Sequence, residues 1–550
     1  MKNEHGIIKE VIKNPVLSGF YPDPSICRVE DDFYLVCSSF ELCPGIPLFH
    51  SRDLIRWEQL CNVMSPENGF NLNANAGTGG VMAPTIRWHD GTFYIIDANF
   101  GDKGNFIVTA ENPAGPWSEP IWLDDVPGID ASLFFDDDGK CYIIGTGLKA
   151  EKPDGTIGNC IWCAEFSLVE KKLVCEPHAI WDSALRNAQW PEAPHIYRKD
   201  GWYYLLIAEG GTDYYHSITI AKSRDIFGWY EGNKANPVLT HRHLGCAYPI
   251  SNIGHGDLVE LKNGQWYCVM LGSRLIEGEH KNLGRETFIC PVTWENGWAV
   301  FSPGTGKVEE EYPAPLPSVM GTLPEPPERI LFREKEPLDI RLCFWGVPYE
   351  RFFTIKDEKL CLKCLKRPVT RKLKPIDISK APEIEKDDCV SLLGIRQTSM
   401  SYSFSAKMRF SPKEGESAGI CMLQATNHHV RVEAVRENGI QLLRLVIATS
   451  CFDRPLYLGG EALTTEKVIK ETEFNSAGMI LQICGDMQDH TVYYGESEER
   501  LEMLCRFDAG RINPPEVGGM IGTLLAVFAS GNGKDSDNEA VFDWIEYKSL

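Results

Sequence analysis

The stretch Asp200-Gly201-Trp202-Tyr203-Tyr204 decides the fold, because its pattern of a tight turn followed by an aromatic strand recurs along the chain. The final tyrosines of the five copies lie 60, 48, 62 and 63 residues apart. Asp-Gly and Asn-Gly steps supply the positive φ angles of tight hairpins, and the aromatic flanks favour strands. A fixed recurrence of this kind predicts a repeat architecture. The other copies are Asp31-Asp32-Phe33-Tyr34, Asp90-Gly91-Thr92-Phe93-Tyr94, Asp138-Gly139-Lys140-Cys141-Tyr142 and Asn263-Gly264-Gln265-Trp266-Tyr267.

Each copy predicts a small antiparallel sheet, and five sheets predict a five-bladed β-propeller, within the usual range of four to eight blades. Three units also close on one template, Ser51–Trp57, Glu111–Trp117 and Ser223–Trp229. A β-sandwich is the alternative, since it also has short strands and regular turns. Five copies in one frame favour the propeller.

The chain is long enough for two domains, because single cores rarely extend beyond about 300 residues. The repeat stops after Phe301, and a proline-rich stretch follows. Alternating polar and apolar residues over 402–410 and 430–435 then predict half-buried strands. We therefore expect an all-β protein with a propeller over 1–308, a linker over 309–330 and a β-sandwich over 331–550.

Composition limits the partners of this chain. Its 77 acidic residues exceed its 55 basic ones, so the formal net charge is −22 and the surface repels phosphate backbones and anionic lipid. The first residues have no apolar core of a secretion signal, and no apolar run approaches a bilayer span of about 20 residues. We expect a cytoplasmic protein that binds neither nucleic acid nor membranes; association into a homo-oligomer is left open.

Cysteines and basic residues have ordinary structural explanations. The 19 cysteines are scattered through apolar stretches, which is typical of small buried side chains rather than of disulfides. The pairs Cys160/Cys163 and Cys361/Cys364 lie in predicted strands, where residues three apart point to opposite faces. We interpret the basic stretch as a solvated face; it comprises Lys363, Lys366, Arg367, Arg371, Lys372 and Lys374.

The repeat also places a set of reactive side chains in one frame. The residues 11 or 12 positions before the repeat tyrosines are Asp23, Met82, Asp130, Glu192 and His255. Equivalent positions on the inner strands of a propeller surround its axis, so these residues are expected to meet at one end of the channel. Three carboxylates in one place repel each other and are costly unless they are used or hydrogen-bonded.

Each of these acids taken alone has an ordinary explanation as a turn or surface residue. Together they predict a catalytic site, since two separated carboxylates facing a pocket are the equipment for glycoside hydrolysis. Arg285 follows the last repeat tyrosine and is a candidate for binding sugar hydroxyls or holding a carboxylate. A structural ion pair is the alternative for Arg285.

At these residues the chain resembles the β-xylosidases of glycoside hydrolase family 43. Its tail resembles the concanavalin A-like sandwich, a jelly roll, that follows the propeller in this group. The resemblance covers nearly the whole length. The motifs that carry it are Gly19-Phe20-Tyr21-Pro22-Asp23-Pro24-Ser25, Ala83-Pro84-Thr85-Ile86-Arg87, Glu192-Ala193-Pro194-His195-Ile196-Tyr197, Gly254-His255-Gly256-Asp257, Leu283-Gly284-Arg285-Glu286-Thr287, Asn427-His428-His429 and Phe542-Asp543-Trp544.

The resemblance implies an inverting mechanism in which Asp23 is the general base, Glu192 the general acid and Asp130 the residue that orients the acid and raises its pKa. It implies no required cofactor. In some members the histidine that matches His255 helps to bind a divalent cation, often calcium, so a calcium ion at the propeller axis is an alternative. The sequence itself contains no oxygen-rich calcium loop.

Two residues depart from the family pattern beside the expected sugar site. Met82 stands where an aromatic residue is common, and Pro191 stands where threonine is frequent. A methionine wall is softer, which affects the preferred sugar more than the reaction. Phe40 is a candidate platform for the sugar face, with core packing as its alternative.

We therefore expect an exo-acting glycosidase that removes β-1,4-linked xylose from short xylo-oligosaccharides, with side activity on α-L-arabinofuranosides. Two alternatives stay open. One is a non-catalytic carbohydrate-binding protein, and the other is a propeller glycosidase for arabinan or fructan.

Overall fold

The computed structural model describes residues 10–72, 79–151, 157–183, 190–317, 325–371, 389–452, 462–512 and 520–550. Within these ranges the regular structure consists of strands and two 3₁₀ turns, Pro66–Asn68 and Ala509–Arg511. No helix in this part of the chain is long and apolar enough to cross a membrane. Lys372 and Lys374 of the basic stretch lie outside the described residues.

Five antiparallel sheets form the blades of a propeller, in chain order, and confirm the predicted architecture. Blade I contains β2 (Ser25–Val29), β3 (Asp32–Val36), β5 (Gly45–Ser51) and β6 (Glu58–Met64). Blade II contains β7 (Thr85–His89), β8 (Thr92–Asn99), β9 (Gly104–Ala110) and β10 (Ile121–Trp122). Blade III contains β11 (Ser132–Phe135), β12 (Cys141–Glu151), β13 (Ile157–Ser167), β14 (Lys172–Leu173) and β15 (His178–Trp181). Blade IV contains β16 (Glu192–Lys199), β17 (Trp202–Glu209), β18 (Ser217–Ser223) and β19 (Glu231–Gly232). Blade V contains β20 (Ile250–Glu260), β21 (Trp266–Arg274), β22 (Glu286–Glu295) and β23 (Trp298–Phe301).

The repeat turns lie between the first and second strands of the blades. In blade II the turn residues Asp90 and Gly91 have φ angles of 47° and 80°, as a tight hairpin requires. The first strands of successive blades contact one another in a closed ring, β2 to β7, β11, β16, β20 and back to β2. The residues just before or within these strands therefore surround one axis. Outside the blades, β1 (Val11–Lys13) pairs with β24 (Glu311–Pro313) in a two-stranded sheet, which joins the chain before blade I to the chain after blade V.

The second domain is a sandwich of two antiparallel sheets, as the alternating pattern predicts. One sheet contains β27 (Phe353–Lys356), β28 (Lys359–Lys363), β39 (Glu539–Ser549), β30 (Ser401–Arg409), β35 (Gly478–Asp486), β36 (Asp489–Gly495) and β37 (Leu501–Asp508), with β25 (Arg329–Leu331) paired to β39. The other contains β34 (Ala462–Glu473), β33 (Ile440–Phe452), β32 (His428–Glu437), β31 (Ser417–Ala425), β38 (Leu524–Ser530), β29 (Leu392–Arg396), β26 (Cys343–Trp345) and β4 (Leu42–Cys43).

Strand β4 belongs to the blade I segment of the chain, yet it forms the edge of a sandwich sheet. Leu42 pairs with Trp345 and Cys43 with Phe344. Around this pairing, Phe20 and Phe40 of the propeller share one apolar core with residues of the sandwich. The two domains are therefore joined by backbone hydrogen bonds as well as by packing. The predicted boundaries at 308 and 331 stay predictions.

All nineteen cysteines are free thiols, and most are buried among apolar side chains. Burial raises the pKa of Cys141 and of Cys290 to about 12, so these thiols stay neutral.

A substitution of Leu42 tests whether the two domains are coupled. Leu42 is 4% exposed, so Leu42→Ala removes buried methyl groups and should lower the free energy of unfolding by about 2–5 kcal/mol. Guanidinium unfolding combined with hydrogen exchange should show both domains destabilised together. Val169→Ala, at a side chain that is 91% exposed, is the matched control. A loss confined to the sandwich would contradict the coupling.

Candidate active site

The residues of the predicted frame occupy one backbone position in the ring of first strands. Asp23 precedes β2, Asp130 precedes β11 and Glu192 begins β16. Asp23, Asp130 and His255 have φ angles of 54°, 52° and 52°, and Ala193, beside Glu192, has 50°. Residues other than glycine rarely adopt such φ angles, and strained backbone is concentrated at functional sites. Three copies of the repeat thus share one strained position, and a fourth has it one residue later, at Ala193.

Asp23 is buried and held by two charge-assisted hydrogen bonds. Arg285 Nη1 donates to its Oδ1 (2.7 Å), and the Ser38 hydroxyl donates to its Oδ2 (2.6 Å). His255 Nδ1 lies 3.6 Å from the same Oδ1. Burial alone would raise the pKa of Asp23, but Arg285, His255 and Ser38 together hold it below its ordinary value. Asp23 is therefore ionised near neutral pH and can accept a proton.

The pKa of Asp130 is raised, unlike that of Asp23, but less than that of Glu192. Its Oδ2 accepts a hydrogen bond from the Ala193 backbone N–H at 3.2 Å, next to Glu192. Burial raises the pKa of Asp130 and the charge of Asp23 adds to that effect, while His255 opposes it. This hydrogen bond holds the peptide between Glu192 and Ala193 next to the carboxyl group of Asp130.

Glu192 has the opposite environment to Asp23. Burial raises its pKa well above the ordinary value, and the charges of Asp130 and Asp23 raise it further. The structure thus brings the three predicted acids close enough to affect one another's pKa values. The pKa of Asp23 is lowered, whereas those of Asp130 and Glu192 are raised. One carboxylate that is ionised and one carboxylic acid that is protonated are what paired acid and base catalysis needs.

Arg285 holds a carboxylate, the second of the two roles considered for it. Besides Asp23, its Nη1 donates to the Thr212 hydroxyl at 3.0 Å. Its Nη2 donates to the Met520 carbonyl at 3.2 Å, and Met520 belongs to the sandwich domain. The guanidinium is 5.3 Å from the centre of the Phe40 ring. The sandwich therefore contributes directly to the position of the arginine that binds Asp23.

Phe40 and Met82 form part of the wall behind this site. Phe40 is 2% exposed and packs 5.9 Å from the ring of Phe20, in the core shared with the sandwich. Met82 is partly buried against the same core, and its N–H donates to the Ala98 carbonyl. Core packing thus accounts for Phe40, and a sugar platform at this ring stays a prediction.

A calcium ion beside His255 stays a prediction. Among the described residues no group of three or more His, Cys, Asp and Glu side chains is arranged to hold a metal ion. Calcium takes six to eight oxygen ligands, and waters can be among those around His255. The imidazole of His216 packs behind it, so close to Gly254 that a Cβ there would lie 2.4 Å from the ring.

A second layer of polar residues, which the sequence analysis missed, lies below the acids. It is centred on Asp257, which is fully buried. Arg87 donates two hydrogen bonds to Asp257, from Nη1 to Oδ2 (2.8 Å) and from Nη2 to Oδ1 (3.1 Å). The Ser25 and Tyr197 hydroxyls also donate to it, at 2.6 and 2.5 Å. One carboxylate of blade V therefore binds blades I, II and IV.

The layer follows from the repeat, because its members lie two residues after the frame in several copies. Asp257 follows His255 by two positions, as Ser25 follows Asp23 and Ser132 follows Asp130. The Ser132 hydroxyl donates to the Pro194 carbonyl at 2.5 Å, which joins blade III to blade IV. The same frame, extended by two residues, would have found these contacts.

The ionisation of this layer is fixed by its partners. Although burial would raise the pKa of Asp257, the charge of Arg87 and the hydrogen bonds from Arg87 and Ser25 hold it well below the ordinary range. Burial lowers the pKa of His195 to about 3, so its imidazole is neutral. Arg87 Nη2 lies 3.0 Å from His195 Nδ1, and because a guanidinium only donates, the imidazole proton is on Nε2.

The propeller and its central acids define a glycosidase type of site, and comparisons with known proteins agree. The family model for glycosyl hydrolases family 43 matches residues 12–299, and the model for the beta xylosidase C-terminal concanavalin A-like domain matches residues 329–548. A xylosidase/arabinosidase from Butyrivibrio fibrisolvens is 40% identical over 549 residues, covering 98% of this chain and 100% of that protein.

Two further proteins show the same relationship. A non-reducing end alpha-L-arabinofuranosidase from Bacteroides ovatus is 35% identical over 557 residues, covering 99% of this chain and 96% of that protein. The crystal structure of a xylan beta-1,4-xylosidase from Bacillus halodurans superposes with a TM-score of 0.85 at 28% identity, over 98% of this chain and 100% of that one. The chain therefore belongs to glycoside hydrolase family 43 and is a glycoside hydrolase, as the resemblance predicts.

Asp257→Asn tests the central layer. The substitution leaves Arg87 buried without its counter-charge and should lower the free energy of unfolding by about 3–5 kcal/mol at pH 7. Since the folded pKa of Asp257 is below its unfolded value of about 3.9, this stabilisation is complete above that value and is lost as the pH falls towards the folded pKa.

Urea unfolding at several pH values measures this effect, with the exposed Asp124→Asn as control. The difference between wild type and Asp257→Asn should narrow below about pH 4. An equal difference at every pH would show that the carboxylate is not the source of the stability.

Proposed function

We propose that this enzyme is an inverting exo-glycosidase that hydrolyses β-1,4-xylosidic bonds at the non-reducing end of short xylo-oligosaccharides, with activity on α-L-arabinofuranosides. The observation that carries the proposal is the opposite pKa shift of Asp23 and Glu192. The names of the relatives support the pentose specificity, since they cover xylosidase and arabinofuranosidase activities.

In this mechanism Asp23 removes a proton from the attacking water, and Glu192 donates its proton to the glycosidic oxygen of the leaving sugar. The bond from water oxygen to the anomeric carbon forms as the glycosidic bond breaks, so configuration inverts. Inverting enzymes keep the two carboxyl groups roughly 6.5–9.5 Å apart to admit that water. After the reaction the proton on Asp23 returns to Glu192 through solvent.

Arg285 and Asp130 prepare the two acids for these roles. Arg285 keeps Asp23 ionised and fixes its Oδ1 while Ser38 fixes its Oδ2, so the carboxylate is held in one orientation for proton transfer. Asp130 holds the Ala193 peptide and raises the pKa of Glu192 by its charge. We therefore assign Asp130 as a positioning residue and Asp23 and Glu192 as the catalytic pair.

The reaction is tested by proton NMR of xylobiose hydrolysis with wild type and Glu192→Gln. Wild type should release α-xylose first, and the variant should be at least ~100-fold slower, since it has no proton to donate. An arabinofuranosyl substrate is assayed in parallel. Initial β-xylose would overturn the inverting mechanism, and no hydrolysis of either pentoside would overturn the proposed specificity.

A second test addresses Asp130. Removing its negative charge lowers the pKa of Glu192, so Asp130→Asn should move the basic limb of the kcat/KM profile to lower pH. The limb reflects the loss of the acid proton of the free enzyme. Asp124→Asn, an exposed neutralisation, should leave the profile in place. A basic limb that stays put or moves upward in Asp130→Asn would remove Asp130 from this role.

A further inference from the structure

An exposed tryptophan lies two residues before the general acid. Trp190 is 41% exposed, although it immediately precedes the buried Pro191 and the half-buried Glu192. Its φ angle is 58°, a conformation that is rare for a bulky side chain. Such strain persists only where the surrounding structure imposes it, and it is concentrated at functional sites. The backbone thus holds a partly exposed indole two residues from the general acid.

The indole packs against the loop that follows β17. A Cβ at Gly211 would lie 3.3 Å from Trp190 Cδ1, so only glycine leaves the ring its present space. The next residue, Thr212, accepts the hydrogen bond from Arg285, which in turn binds Asp23. The position of the indole is therefore linked to both members of the catalytic pair.

Two exposed tyrosines lie on the same loop. Tyr214 and Tyr215 are 39% and 66% exposed, with their rings 5.3 Å apart at an interplanar angle of 88°. The Tyr214 hydroxyl donates to the Arg242 carbonyl at 2.8 Å, which fixes its ring. We call Trp190, Tyr214 and Tyr215 the aromatic rim. Exposed aromatic side chains grouped in this way mark a binding surface.

The general acid determines which part of a substrate reaches this rim. Glu192 must lie within hydrogen-bond distance of the glycosidic oxygen, so the leaving sugar is placed beside the residues next to Glu192. Sugar rings present C–H faces that pack on aromatic side chains, and tryptophan offers the largest such area. Building on the proposed function, we propose that Trp190 is the platform for the leaving-group sugar, with the two tyrosines as its outer edge.

The test compares substrates that share the same non-reducing sugar but differ in the leaving group. β-Xylosyl fluoride releases fluoride, which makes no contact with an aromatic platform, whereas xylobiose releases a sugar. Trp190→Ala should lower kcat/KM for xylobiose about tenfold or more and leave the value for the fluoride within about twofold, because only the sugar loses its platform. Trp190→Phe should restore most of the loss. Trp229→Ala, at a tryptophan that is 54% exposed in blade IV, is the matched control and should change neither substrate.

The outcomes separate this inference from the proposed function. Equal losses on both substrates would show that Trp190 is only structural, and no loss on either would show that the leaving sugar does not contact it. In both cases the proposed function stands, because wild type still cleaves the fluoride and the disaccharide. If wild type cleaves neither those substrates nor their arabinofuranosyl counterparts, the proposed function and this inference are both overturned.

Discussion

The buried ion pair of Asp257 and Arg87 is the constraint on which the active site depends. In the described part of the chain no strand of one blade pairs with a strand of another, and only a single bridge between Phe40 and Val81 joins blades I and II, so the axis needs another link. Asp257 provides it by accepting hydrogen bonds from blades I, II and IV, and Ser132 adds blade III through Pro194. Losing one partner would leave an unpaired charge at this depth and cost several kcal/mol, so Asp257 and Arg87 must both be in place.

The catalytic acids stand two residues above this layer on the same strands, so its rigidity sets their mutual positions. Their chemistry then follows from asymmetric neighbours. Asp23 receives a guanidinium and a hydroxyl, whereas the charges nearest Glu192 are other carboxylates. Two carboxyl side chains in one cluster thus have pKa values that are shifted in opposite directions. Arg285 makes the difference, and its own position depends on a carbonyl of the sandwich domain.

The propeller could be predicted from sequence because its information is local: each turn and its aromatic strand stand within a few residues of each other. The frame that located Asp23, Asp130 and Glu192 has the same origin. Contacts without a period could not be found in this way. Arg285 and Met520 are 235 residues apart, and the two-residue strand at Leu42 shows no alternation to mark it. Asp257 belongs to the same repeat, two positions after His255, so its place near the axis follows from the same period. Trp190 carries no motif, and its role depends on Gly211, a neighbour in space only.

Strand β4 gives the molecule an order of assembly. Blade I is made early in synthesis, but the sheet that accepts Leu42 and Cys43 requires Phe344 and Trp345, and that sheet continues through β29 to β38. Met520, just before β38, supplies the carbonyl that orients Arg285. The catalytic centre is thus complete only after the sandwich domain has been synthesised. A chain that stops before Met520 contains the acids but lacks the carbonyl that positions Arg285.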